Sequence, residues 1–552
     1  MIIDLLFYFV IYNLSFFSIY TYGKYFRFYF FKEDINSVHT NNEYVNLFFG
    51  FAFFIIFSWF YHFLFGFKNE WMNLFIVLVG NVIFLLDKKQ IKEKSFYFLP
   101  SVLFLGIIIY NNHNDFHLYH FQNILEFNNE PKIGIGNLNP KYIYASMFVY
   151  FESLFNLPKS QYHFINIPRY LVFVAIVGYL YSNINNNNNN SNKFLSCILL
   201  IFILLKFKRF SEHGYDYIAI FFTTFIFLEY FYNKVDKVYN LKNIIFFFSI
   251  LISLKVIGLF FSPFIFYAIS KNYLINSRFN YFFKNLMPSF VVFIIFLSNS
   301  FINSGCIFYP IKSTCFSSKT ISWSVNYDEV FQESDVAKKW AKGFYHQNKN
   351  KRINNYEEYS KNLKWISSWF KSHFLKKILE PILIFISILL IFYFLSRSNI
   401  YKKKDEGSIL ILSSLSLIFW LFGLPQLRFG YFYVLLFVFL IFSQFLKKEI
   451  KINKQSKIFI FLAFVFFNLH NLNRVYKEYK QNSNFPWYQT LTYKTISLEV
   501  NNIKYFKYFY DSQKNKVLDD VNDNKFIYNL SFNDKKLIFT KNYNFIFIQQ
   551  SN

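Results

Sequence analysis

Three cysteines and 15 glycines in 552 residues leave little room for several common chemistries. No cysteine–histidine spacing resembles a zinc site, no glycine-rich loop is built to cradle a nucleotide's phosphates, and no nucleophile elbow is present. A nucleotide-driven enzyme is therefore not expected. Acid is scarce as well: 32 Asp and Glu stand against 58 Lys and Arg, a net charge of +26. Such a balance suggests nucleic acid until the positions are read. The cations fall in short clusters between apolar runs and form no single basic face, so nucleic acid is not an expected partner. No solenoid period or internal repeat is visible, and residues 185–190, all Asn, read as a solvated linker between spans. Residues 1–20 lack the basic start and small-residue cleavage site of a signal peptide, so none is expected.

What is abundant is apolar. The chain is 54% hydrophobic and 25% aromatic. Apolar stretches such as 45–67 and 381–395 recur about a dozen times, most near the length that crosses a bilayer. The predicted fold class is an all-α polytopic membrane protein of about 12–14 transmembrane helices with a small polar C-terminal region. The excess of Phe, Tyr, Asn, Lys and Ile is the signature of AT-rich codons, and we read the aromatics as packing, not as stacking platforms or cages.

The charge clusters set an orientation. Lys88, Lys89, Lys92 and Lys94, then Lys402, Lys403 and Lys404, then Lys447, Lys448, Lys451, Lys454 and Lys457 lie in loops short enough for the positive-inside rule, and mark the cytoplasmic side. Counting from them puts the tract around Asp115 and the polar loop 301–371 outside. Lys206, Lys208 and Arg209 balance Lys234, Lys237 and Lys242, so charge alone does not choose which of those loops is inside. The preferred arrangement lays 142–157, interrupted by Glu152, along the outer interface and folds 244–270 into a hairpin near Lys255, which brings Asp216 to Asp115's side. The resulting divisions are N-terminal spans (1–110), a first exterior loop (111–163), central spans (164–300), a large exterior loop (301–375), C-terminal spans (376–470) and a polar tail or small exterior domain (471–552). Within the tail, 525–530 and 536–539 alternate as short strands do.

One tract carries the ingredients of a reaction centre. Asn114-Asp115-Phe116-His117-Leu118-Tyr119-His120-Phe121-Gln122 follows an apolar run and precedes the turn Gly134-Ile135-Gly136-Asn137-Leu138-Asn139-Pro140. An acid flanked by histidines sits where a span meets water. Asp115, His117 and His120 offer a divalent metal one carboxylate and two imidazoles, although that spacing is not diagnostic, and hydrogen-bonded interfacial histidines are the plainer reading, above all for His113.

This tract with its glycine turn resembles the YDT-x-LYH … GLGNLH signature of an uncharacterised family of bacterial polytopic membrane proteins. That family is in turn similar to the GT-C glycosyltransferases, among them protein mannosyltransferases and lipid A aminoarabinose transferases. Further matches follow in the family's order: residues 211–216 at an SSPSPD-like position, Lys255 in an IKLSALP-like span, Tyr309-Pro310 and Trp323-Ser324-Val325 in the large loop, and Arg428-Phe429-Gly430 opening a late span. The resemblance covers about residues 100–445. His117 replaces a small residue, Asn139 stands where His is usual, and the tail lacks the family's Cys-Trp and Cys-Thr-Pro-Tyr elements.

The resemblance implies sugar transfer from a polyprenyl-phosphate donor to a cell-envelope acceptor, at the outer face of a bacterial inner membrane. Asp115 would then be the catalytic base and Asp216 a second carboxylate that orients the acceptor or shares a metal, with His117, Tyr119, His120 and Gln122 contacting substrate. For Asp216 the plainer alternative is a solvated acid at a helix N-terminus. Lys255 lies in an apolar run, where a cation costs roughly 2.5–3.5 kcal/mol, so it should face a cavity or a partner; a phosphate fits. Arg428 and Arg169 open apolar runs and are candidates to clamp that phosphate, against the alternative of snorkelling to an interface. Cys306 and Cys315 share the outer loop and are expected to pair, while Cys197 reads as a small buried hydrophobe. No cofactor is required by this reading, and a divalent metal stays open. Two competing functions are a lipid-linked glycan flippase, which would need paired broken helices in two halves, and a non-catalytic protein keeping the fold.

Overall fold

The computed structural model describes residues 2–32, 42–87, 91, 93–109, 116, 120–128, 131–143, 146–158, 160, 163–186, 190–232, 240–275, 279–347, 353–395, 407–445, 452–481, 485–486, 495–500, 503–508, 537–542 and 545–550. Among them seven helices are long and apolar enough to cross a membrane: Ile2–Phe31, Tyr44–Phe65, His163–Asn186, Leu286–Ser304, Trp365–Phe394, Leu427–Gln444 and Lys454–Gln481. Shorter apolar helices, including Glu70–Leu86, Ser95–Ile108, Asn190–Leu205, Leu241–Leu254 and Gly407–Gly423, fill the bundle. The protein is predominantly helical and multi-pass.

The abundant Asn residues have local work. Asn69, Asn240, Asn326 and Asn355 each cap a helix, the side chain accepting from a backbone N–H two or three residues on. Within helices, Ser15, Thr21, Thr223 and Thr224 donate to the carbonyl four residues back, which satisfies hydroxyls that lipid could not. The aromatics pack as the composition predicts: Phe48 stacks on Phe225 with ring centroids 3.9 Å apart. The first two helices touch closely at Gly23 and Gly50, where any Cβ would strike the facing backbone within 2.4 Å.

The bundle has two distinct ends. At one, Tyr20 donates to Glu43 over 2.8 Å, Ser182 to Glu93 over 2.9 Å, Tyr179 to Glu229 over 2.8 Å, and Lys242 to the Phe30 carbonyl over 2.7 Å. At the other lie the described residues of segments 120–166, 206–215 and 305–364. There Asn299, near the end of helix Phe279–Ser304, accepts from Tyr150 (2.7 Å) and Trp59 (3.3 Å), and the Gly134 N–H donates to the Ile302 carbonyl (2.8 Å). Helix Leu241–Leu254 arrives at this end, breaks at Lys255, whose backbone is extended, and resumes as Val256–Phe261 and Ser262–Ile275. Cys306 and Cys315 are joined in a disulfide just beyond helix Phe279–Ser304.

The polar tail departs from an all-helical description. Besides β1 (Lys132–Ile133) the described strands are β2 (Thr495–Val500), β3 (Ile503–Tyr508), β4 (Leu537–Asn542) and β5 (Phe545–Gln550). β2 and β3 form one antiparallel hairpin, β4 and β5 another, and β5 also pairs in parallel with β1, Lys132 opposite Ile546. β4 overlaps the alternating piece at 536–539; the piece at 525–530 lies outside the described residues. Alternation marks strands in the tail, but the two-residue β1 has no period to read.

A candidate anion site at one end of the bundle

Asp216 and Arg428, at the starts of two helices, meet Lys255, which stands at the break after a third. Asp216 begins helix Asp216–Ile226, where the helix dipole favours a negative charge. Lys255 follows the last residue of Leu241–Leu254, the end that favours a cation. The Lys255 ammonium ion-pairs with Asp216 Oδ1, and Arg428 Nε lies 3.6 Å from Asp216 Oδ2. Arg428 occupies the first turn of helix Leu427–Phe445, which the dipole disfavours for a cation. Offsetting contacts come from Asp216, from Gln426 Oε1 at 3.0 Å and from the Phe429 ring, whose centroid is 4.9 Å from Arg428 Cζ. Lys255 also lies 5.2 Å from that ring. The Asp216 side chain is 8% exposed and the two cations 30% each, so the carboxylate is enclosed while the cations still reach solvent. Lys255 and Arg428 thus approach the same carboxylate from two sides of the chain fold, Lys255 at Oδ1 and Arg428 at Oδ2.

Gly430 holds this geometry open. A Cβ there would meet the Trp420 indole at 2.4 Å, and that indole donates to the Gln426 carbonyl over 2.8 Å, fixing the turn before Arg428. Trp369 Nε1 donates to the Pro425 carbonyl over 2.6 Å and ties the same turn to the earlier span Trp365–Phe394.

Beside the triad sits a second, fully buried cluster. Arg169 donates through Nε (2.9 Å) and Nη2 (2.6 Å) to Glu152 Oε1, and Nη2 is 2.8 Å from His213 Nε2. The Tyr215 hydroxyl donates to Glu152 Oε2 over 2.9 Å. Burial, the larger effect, pushes the Glu152 carboxyl above its ordinary range, and Arg169 and Tyr215 pull it part of the way back. Arg169 thus faces a protein carboxylate. It pairs with Glu152 and not with the Asp216 that joins Lys255 and Arg428.

The first-loop tract packs on this cluster. Phe116 lies 4.1 Å from the His213 ring, and His120 lies 5.2 Å from His213 and 4.9 Å, edge-on, from Tyr215. Gln122 is buried and accepts from the Tyr142 hydroxyl over 2.9 Å. Asp115, His117 and Tyr119 lie outside the described residues, as does His113. The segment 213–216 therefore joins the tract to the triad: His213 and Tyr215 meet His120, and Asp216 meets the cations. Among the described residues no group of three His, Cys, Asp or Glu side chains gathers around one point, and Asp115 and His117 are not among them.

Residues 5–435 match the family model described as a domain of unknown function, DUF8201. The chain belongs to that family. The DUF8201 match contains the whole triad and the buried Glu152–Arg169 pair, and stops short of helix Lys454–Gln481 and strands β2 to β5. No curated protein and no solved structure matches the chain.

Sequence reading missed three participants. Glu152 appeared only as an interruption in an apolar stretch, yet a buried acid needs a cation and Arg169 is the nearby buried one. Trp340, from the large loop, lies 5.1 Å over Arg428, and Lys377 lies 5.3 Å from the same indole. Discounting aromatics as codon bias applies to Phe and Tyr. It does not apply to Trp, whose single codon is G-rich and of which there are eight.

Proposed function

We propose that this DUF8201 protein is a GT-C-like membrane glycosyltransferase, which transfers a sugar from a polyprenyl-phosphate donor to a cell-envelope acceptor at the exterior face of a bacterial inner membrane. The observation that carries the reading is the meeting of Asp216, Lys255 and Arg428 at the bundle end that also holds the His120 tract. A lipid-linked donor has its phosphate at the membrane interface, and a partly exposed guanidinium and ammonium at the ends of apolar helices suit it in depth and charge. The positive-inside rule supports an exterior site: in sequence, Lys88, Lys89, Lys92 and Lys94, then Lys402, Lys403 and Lys404, and then Lys447, Lys448 and Lys451 all fall between helices whose ends lie opposite the triad.

In this reading Lys255 and Arg428 bind and orient the donor phosphate and stabilise the charge left on it when the glycosidic bond breaks. Asp115 takes the acceptor hydroxyl's proton as its oxygen attacks the sugar carbon. Asp216, held between the two cations, serves to position them. His120 keeps the tract against His213 and Tyr215.

The test is a pair of substitutions, Asp115→Asn and Arg428→Gln, in cells whose envelope glycans and polyprenyl-linked sugars are measured. Transfer should be lost with both, with the lipid-linked sugar accumulating and the protein still folded in the membrane. Unchanged glycan output with either variant would remove the enzymatic reading.

A further inference from the structure

The large loop, polar over most of its length, opens on an apolar stretch. Cys306-Ile307-Phe308-Tyr309-Pro310-Ile311 leaves the span, and Phe316 follows Cys315. The stretch is a hairpin closed by the Cys306–Cys315 disulfide. On either side of the cysteines, the Ile307 N–H donates to the Thr314 carbonyl (2.9 Å) and the Phe316 N–H to the Gly305 carbonyl (3.1 Å). Side chains alternate across such a ladder, so Ile307 and Phe316 stand on the face opposite the disulfide. The disulfide face packs with Ile143, Tyr309 and Val325. The opposite face is open: Ile307 is 44% exposed, Phe316 39% and Ile311, at the tip, 48%.

The hairpin folds back along the span Leu286–Ser304 instead of projecting from it. Gly305, at φ +73°, reverses the chain directly after Ser304. The Ser300 hydroxyl donates to the Cys306 carbonyl (2.8 Å) and accepts from the Tyr309 N–H (3.1 Å). The Phe308 ring lies 5.8 Å from Phe296, and Phe316 lies 5.8 Å from Phe301. Phe296 precedes the helix end at Ser304 by about 12 Å of axial rise, so the hairpin stands at the depth of the last two turns of the span. Phe290, Ile294, Leu297 and Phe301 share one face of that helix, Phe290 and Ile294 exposed, and Phe316 extends it. Hydrocarbon offers an amide no partner. The N–H groups of Ile307, Phe308, Tyr309, Ile311 and Phe316 all donate to protein oxygens, and Pro310 has none. Beyond them Ser317, Ser318 and Lys319 are exposed, where the chain turns polar again.

We propose that hairpin 306–316 is an interfacial anchor, and that the acyl chains of the membrane leaflet on the triad's side cover its open face. Continuity with the exposed apolar face of the span, at the same depth and with the amides satisfied, selects lipid as the occupant. The anchor also steadies the first loop. The Gly134 N–H donates to the Ile302 carbonyl (2.8 Å) and Asn137 Nδ2 to the Trp323 carbonyl (3.0 Å), one contact on each side of the hairpin. None of this depends on sugar transfer.

The full-length wild type is placed in nanodiscs of phosphatidylethanolamine and phosphatidylglycerol, a fraction of which carries a diazirine at the end of an acyl chain. After illumination, lipid adducts are mapped by peptide mass spectrometry. They should appear within 307–316 as they do at Phe290 and Ile294, and be missing from Tyr356–Ser360 of the same loop. Ile311→Asp with Phe316→Ser should lose the hairpin adducts and keep those at Phe290. A span that labels beside a hairpin that does not overturns the proposal, as it would if a second copy of the chain covered that face. Equal labelling of the hairpin and Tyr356–Ser360, or hairpin adducts that survive the double substitution, overturns it too.

Discussion

A guanidinium buried against a carboxylate is stable only while both are present, and Arg169 with Glu152 is such a case. Glu152→Gln removes the carboxylate that Arg169 pairs with in a buried setting and should destabilise the protein by about 3 kcal/mol. Replacing both, Glu152→Gln with Arg169→Met, should recover much of that loss. Thermal unfolding of the purified variants measures this, and a double variant no better than the single one would show that the pair is not the source of the cost. Residue by residue, the triad was visible before its geometry was: Asp216 as an acid at a helix start, Lys255 as a cation in an apolar run, Arg428 as the first charge of a span. Each was flagged for a separate reason. What no local pattern reveals is that the three meet, because the contact depends on which helix ends pack side by side.

At the scale of elements, the turn before helix Leu427–Phe445 sets the position of Arg428, and Gly430 makes room for the Trp420 indole that holds the turn. Gly430→Ala should displace that indole at a cost of about 1–3 kcal/mol and weaken phosphate-lipid binding in the same variant. Loss of stability with unaltered binding would show that the turn does not control the cation. The loop closed by Cys306 and Cys315 is short, and its opening in a Cys306→Ser, Cys315→Ser variant should lower stability by roughly 2–3 kcal/mol through the entropy of the unfolded chain. Equal unfolding temperatures for the variant and the oxidised wild type would contradict this. The break at Lys255 was legible from a lysine and a glycine inside one apolar stretch. Strand β1 was not, since two residues carry no period and their partner, β5, comes from the far end of the chain.

Over the whole molecule, the helix order sorts the described helix ends into two groups, those that flank the lysine clusters in sequence at one end and the triad, the disulfide and the tail strands at the other. Charge alone left 206–209 and 234–242 tied. Helix packing separates them, since Asp216 follows the first segment directly and meets Arg428, whereas Lys242 reaches back to Phe30. Single cysteines introduced at Lys319 and at Lys403 should therefore differ when intact cells meet a membrane-impermeant maleimide: Lys319→Cys labelled, Lys403→Cys protected. The reverse pattern would turn the site toward the cytoplasm. The most direct test of the central claim is the mass-spectrometric profile of polyprenyl-linked sugars in a strain whose chromosomal copy carries Arg428→Gln. The account predicts a lipid-linked sugar that accumulates as its envelope product disappears; an unaltered profile, with the variant present in the membrane at normal abundance, would contradict it.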